Sequence, residues 1–97
     1  MDFASLAWQE MAPGARHKVV ERAGKRLRLL ELTPDFVEKE WCEKAHAGFV
    51  FAGEVELAFE DRVERLGPGD GLILRAGERH KARAIGGTAT LALVEDA

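Results

Sequence analysis

Few side chains in this chain have the means to do chemistry beyond acid–base pairing. There is one cysteine, Cys42, and three histidines, His17, His46 and His80. A lone thiol has no partner for an internal disulfide, which fits a reducing cytoplasm. It also lacks a second cysteine to resolve an oxidised state. Redox or nucleophilic work therefore ranks behind two other readings, a small buried apolar residue and a metal ligand. Imidazoles serve equally as proton carriers and as metal ligands near neutral pH. His17, between Arg16 and Lys18, reads as a surface residue. Trp41, Phe49 and Phe51 serve either as core or as a platform for a ligand.

The scaffold that must hold these groups is small. Ninety-seven residues make one domain. Hydrophobic residues are 46% and charged residues 32%, ordinary for a soluble globular protein. A net charge of −3 exerts no pull toward nucleic acid. The basic clusters Arg16–Lys18 and Lys25–Arg28 are short and flanked by Glu21 and Glu31, so they read as solvated strand faces and no nucleic-acid partner is expected. No apolar run approaches the ~18 residues of a membrane helix, and no basic-then-apolar leader follows Met1. The expected location is cytoplasmic, with no membrane partner. The chain has no Asn and one Gln but is rich in Arg and Glu, a bias shared by thermophiles and GC-rich genomes.

Periodicity predicts strands throughout. Residues 1–14 read as an N-terminal arm, with Leu6 and Trp8 on either a short strand or a helical turn, broken by Ala12-Pro13-Gly14. Residues 15–97 form the domain proper. Strands are predicted around 18–22, 26–32, 48–60, 63–66, 72–74, 80–85 and 88–94, separated by turns such as Thr33-Pro34-Asp35 and Gly67-Pro68-Gly69-Asp70. Val55, Leu57 and Phe59 alternate with glutamates and should be buried, leaving Glu54, Glu56 and Glu60 exposed. Short strands with turns every eight to twelve residues, and no amphipathic helix, imply an all-β sandwich or barrel.

Two segments resemble the cupin motifs. Val50–Gly53 with Glu54 resembles the end of the first motif, an apolar strand closing in Gly-Glu. Gly69, Gly77 and His80 fall on the positions of the second, although Arg75 replaces its usual Pro and Ala84 its usual Asn. Fifteen residues separate Gly53 from Gly69, a spacing typical of compact one-domain cupins. The run Trp41 to Phe49 also resembles a small-cupin variant with a Trp-Cys…His-x-Gly signature. The resemblance, spanning residues 18–94, implies a single-domain cupin: an eight-to-ten-stranded antiparallel jelly-roll β-barrel with one internal pocket.

The same resemblance implies a site. Cupins place metal ligands at a His-x-His, at a Glu three or four residues later, and at the His of the second motif. Those positions fall here on Glu40 and Cys42, on His46, and on His80. Glu40 and Cys42, two apart on a strand, would share a face. A thiolate, two imidazoles and a carboxylate suit Zn²⁺ best, with Fe²⁺, Co²⁺ or Ni²⁺ also compatible; no nucleotide cofactor is expected. Trp41, Phe49, Phe51 and Arg75 are candidates to line the pocket, Arg75 as a two-pronged contact to a ligand carboxylate. Two functions stay open, a metal-dependent site acting on a small organic molecule and a metal-free ligand-binding or sensing module; behind them stands a metal-free isomerase or lyase with His46 or His80 as general base. Leu6, Trp8 and the doubly apolar Leu29-Leu30 point to a homodimer through the arm or the strand 26–32.

Overall fold

The computed structural model describes residues 2–97; Met1, the first residue of the arm, lies outside them. Seven strands form one antiparallel sheet: β1 (Gln9–Ala12), β2 (Ala15–Arg22), β3 (Lys25–Leu32), β4 (His46–Phe59), β5 (Val63–Leu66), β6 (Gly71–Leu74) and β7 (His80–Asp96). No helix occurs among the described residues. The order is β1-β2-β3-β7-β4-β5, with β6 added to β4. This is the all-β jelly roll expected, with two differences. There are seven strands rather than eight to ten, because residues 80–85 and 88–94 join into one strand of 17 residues through Gly86-Gly87. The sheet also stays open instead of closing into a full barrel.

Two long strands build both walls. The first half of β4 (Ala47–Ala52) pairs with the second half of β7, and the second half of β4 (Glu54–Phe59) with the first half of β7. β6 pairs only with the start of β4, and β5 only with its end. Between the halves, the register shifts on either side of Ala52. Gly53 sits there at φ 76°, a left-handed conformation that glycine adopts without strain. A Cβ on Gly53 would also stand 2.4 Å from the Thr88 carbonyl oxygen.

The bulge has a consequence for side chains. Before it the even positions of β4 face inward, as His46 and Val50 do; after it the odd ones do, as Val55, Leu57 and Phe59 show. β7 makes the same change at Gly86-Gly87, from His80 and Ala84 to Ala89, Leu91, Leu93 and Glu95. A side-chain period of two would otherwise turn half of each strand outward. The expected burial of Val55, Leu57 and Phe59 is observed, at 1%, 5% and 8% exposure. Glu54 and Glu60 are exposed, but Glu56 is half-buried beneath a bidentate pair with Arg83 at 3.0 and 3.1 Å.

The core is mostly leucine, valine and alanine. Leu32, Val50, Val55, Ala89, Leu91 and Leu93 form its larger part, and Leu57, Phe59 and Leu74 a smaller one. The irregular stretch between β3 and β4 lies along the free edge of the first half of β7. Ala82 N–H donates to the Glu38 carboxylate at 2.8 Å, and Lys81 donates to the Lys39 carbonyl at 3.2 Å. An edge that would otherwise expose unpaired backbone is thereby covered.

The N-terminal segment takes the turn rather than the strand at its start, with Leu6 N–H bonded to the Phe3 carbonyl at 3.3 Å. Its residues Gln9–Ala12 then pair with β2. Trp8 packs beneath Arg16 and Lys18, 4.3 and 4.9 Å from its ring centroid.

Candidate metal centre

His46, His80 and Cys42 meet at one end of an internal cavity of 220 Å³. Strand alternation places the two histidines, and an isolated backbone bridge places the cysteine. His46 opens β4 and faces inward with Gly48 and Val50 by strand alternation. His80 opens β7 in the same way and is 4% exposed. Cys42 lies outside any named strand but is locked beside His80 by a reciprocal backbone pair, Cys42 N to His80 O at 2.8 Å and His80 N to Cys42 O at 3.0 Å. Gly77 N–H donates to the Glu43 carbonyl at 2.9 Å and extends that clamp by one link.

The ligand atoms of the three side chains all lie within 4.8 Å of one another. Cys42 Sγ is 3.6 Å from His46 Nε2. Zinc bond lengths of ~2.3 Å to sulfur and ~2.0–2.1 Å to nitrogen, at a tetrahedral angle, put the two ligands roughly 3.6 Å apart. The imidazoles stand edge to face, their centroids 5.4 Å apart.

The second nitrogen of each ring is committed elsewhere. His80 Nδ1–H donates to the Glu78 carbonyl at 2.8 Å, and His46 Nδ1–H donates to Glu95 at 2.6 Å. With Nδ1 carrying the proton, a neutral ring at either position keeps an unprotonated Nε2 that can ligate a metal. A carboxylate or carbonyl behind a ligating imidazole is the usual arrangement in metal sites, where it fixes the tautomer and raises basicity. The donor set fits a divalent ion of the zinc type: three ligands leave one tetrahedral position open.

Electrostatics behind the cluster are coupled. Burial lowers the His46 pKa, and Glu95 opposes this without overcoming it; His80 and Arg28 push in the same direction as burial. For Glu95, burial works against ionisation, but Arg28 and His46 outweigh it and hold the carboxyl below its usual range. Glu95 also accepts from Arg28 at 3.3 Å and from Arg26 at 3.4 Å. No buried side-chain nitrogen or oxygen among the described residues lacks a partner.

The other sequence candidates lie elsewhere. Glu40 is exposed and stands outside the cluster; the acid that reaches the cavity from its segment is Glu38. Phe49 and Phe51 are 61% and 72% exposed on the outer face, because they are an odd number of positions from His46 on the same strand. Trp41 lies outside the cavity lining with Lys81 4.8 Å from its ring, and Arg75 is exposed in the turn before β7. The sequence reading missed Glu95 and Arg28. Both had a signal: Glu95 continues the inward alternation of Leu91 and Leu93, and Arg28 that of Leu30 and Leu32.

Comparison with known proteins agrees with this architecture. The family profile described as Cupin domain matches residues 38–95. No curated protein sequence matches. Among solved structures, a cupin-2 domain containing protein from Shewanella frigidimarina superposes with a TM-score of 0.71 at 21% identity, over 92% of this chain and 83% of that one. KdgF from Halomonas sp. gives 0.79 at 20% identity, over 93% and 86%. The Fe(II) form of HppE gives 0.80 at 14% identity, over 98% of this chain and 58% of that one. At such identities these likenesses speak for the fold alone.

Proposed function

The chain belongs to the cupin family, and from that premise we propose that its cavity holds a divalent metal ion on Cys42, His46 and His80 and acts on a small organic molecule there. One observation carries the reading: three ligand atoms of the right chemistry lie within 4.8 Å of one another on a cavity wall, with both imidazoles oriented from behind. Similarity to a structure named for its iron(II) supports a metal in this fold, while the thiolate favours zinc. When bound, the ion would supply Lewis acidity or an activated oxygen ligand. The chain's own residues would do the rest. Glu95 and the Glu78 carbonyl hold the imidazoles, and a leucine-rich wall limits water and selects a largely apolar substrate. We further propose that a second copy of the chain covers the outer sheet face. There Phe49, Phe51 and Ile73 are 61%, 72% and 86% exposed on neighbouring strands, and adjoining exposed apolar side chains are the surface that association would cover.

A metal-free binding module is the second reading. Its support is the 3.6 Å contact between Cys42 Sγ and His46 Nε2, which already gives each atom a partner. Metal analysis of protein purified without a histidine tag separates the two. The metal reading expects about one zinc-type ion per chain. His46→Ala and His80→Ala should lose it, and Glu40→Ala should keep it. Stoichiometric metal absent from wild-type protein refolded or dialysed with zinc leaves the binding module.

A further inference from the structure

Arg28 holds Glu95 behind His46, and one edge of its guanidinium is left over by the metal reading. It sits on the inner face of β3 in line with Leu30 and Leu32, and is 8% exposed. A buried guanidinium is costly unless every edge is matched by a good acceptor. Two edges are matched. Nε donates to His17 Nδ1 at 3.1 Å, and Nη1 reaches both Glu95 oxygens at 3.3 Å. The third is not matched well: Nη2 meets only Met11 Sδ, at 3.4 Å. A thioether is a weak acceptor, and a guanidinium prefers an anionic oxygen.

Met11 itself is placed by an irregularity. Gln9 and Glu10 pair with His17 and Arg16, and Ala12 with Ala15, so the register shifts across Met11 and leaves it as the extra residue of a β-bulge. Bulges re-aim a side chain, often beside a binding site. This one directs a flexible side chain, half exposed at 50%, over the cavity and onto Arg28. Methionine swings aside at little cost.

We propose that Arg28 Nη2 is an anchor for a ligand carboxylate, and that Met11 occupies its place until a small aliphatic monocarboxylate enters the cavity. This rests on the reading that the barrel takes a small organic molecule, and it names the class. The size fits: 220 Å³ equals the liquid volume of roughly seven waters at ~30 Å³ each, close to that of hexanoate. The wall fits an alkyl chain, with Leu30, Leu57, Leu72 and Leu91 lining it. The acid that lines this space is Glu38, the exposed Lys44 stands at its wall as a second cation, and Glu95 lies behind Arg28 and His46; both acids are engaged. Glu95 is shared by Arg26, Arg28 and His46, and Glu38 accepts from Ala82 N–H. Arg28 offers a single under-used nitrogen, which suits one carboxylate oxygen better than the many acceptors of a phosphate.

Hexanoate against hexanamide, of the same length but uncharged, is the probe pair. The chain has two methionines, so a spectrum of protein carrying ¹³C-methyl methionine holds few signals, and Met11→Leu assigns that of Met11. Hexanoate should shift the Met11 methyl and bind roughly tenfold or more tightly than hexanamide, since a hydrogen bond to a charged partner is worth about that ratio. Arg28→Gln should remove the preference. Should that variant fail to fold, Met11→Leu decides: it removes the competing sulfur and should bind hexanoate at least as tightly as wild type. Equal binding of the two probes, or hexanoate binding that leaves the Met11 methyl unmoved, overturns the proposal. Zinc stoichiometry measured on the same samples is read separately. Zinc bound with no carboxylate preference sinks the anchor alone; a carboxylate preference with no zinc bound sinks the metal centre alone.

Discussion

The two faces of one sheet differ in an unusual direction. On the inner face, polar groups gather at one end of the cavity: Arg28, His80 and Glu95 are each under a tenth exposed, and His46 lies between them. On the outer face of the same strands, Phe49, Phe51 and Ile73 stand in the open. A monomer built only for stability would reverse both sets, since buried charges are costly and large exposed apolar patches invite association. The difference teaches that neither face is optimised for the isolated chain. The inner face buries matched polar groups, and the outer face leaves large apolar side chains uncovered.

The largest expected effect lies outside. If a second copy covers the outer face, the wild-type chain should run at twice its 10.7 kDa mass by light scattering at micromolar concentration. Ile73→Lys, whose side chain is 86% exposed and supports no core, should halve that mass while leaving thermal stability of the separated chain nearly unchanged. A single-chain mass for the wild type removes the outer half of the comparison.

The inner face should respond more modestly, and through affinity. Glu95→Gln keeps the shape but removes the anion behind His46, and such outer partners of a ligating histidine typically account for 10–100-fold in metal affinity, about 1.4–2.7 kcal/mol. Competition with a chromophoric zinc chelator reads this directly. An unchanged affinity would show that the 2.6 Å bond to His46 is structural only.

The smallest effect is the dependence of apo-protein stability on pH. His46 and His17 both have pKa values lowered in the folded state, chiefly by burial, with Arg28 pressing in the same direction. The unfolded chain then binds more protons than the folded one as pH falls below ~6.5, so stability declines from there until the folded pKa values are reached. Glu95, with its carboxyl held below the ordinary range, contributes stability above its unfolded pKa that is lost as pH falls through the folded one. Urea midpoints in the presence of chelator should therefore drop between pH 7 and 5.5, and His46→Gln should flatten part of that drop. A midpoint that rises on acidification would contradict the assigned directions.

Much of the fold is legible in the chain itself. Val55, Leu57 and Phe59 announce one inward face, and turn residues at Gly67–Asp70 bound the strands. The family motifs bring His46 and His80 forward as candidates, and alternation also put Glu95 and Arg28 within reach of a longer reading of their strands. What the chain alone leaves open is the phase of each face. Period two says which residues alternate, not where a bulge resets the count. The resets at Gly53 and at Gly86-Gly87 decide that His46 and Leu57 look into the same space, and that Phe49 and Phe51 do not. Tertiary contacts decide the rest. Cys42 reaches the histidines through backbone bonds to the start of β7 and the turn before it, Glu40 stays exposed in the same segment, and the register shift in β1 brings Met11 to Arg28. These are contacts between segments far apart in sequence, and no local preference encodes them.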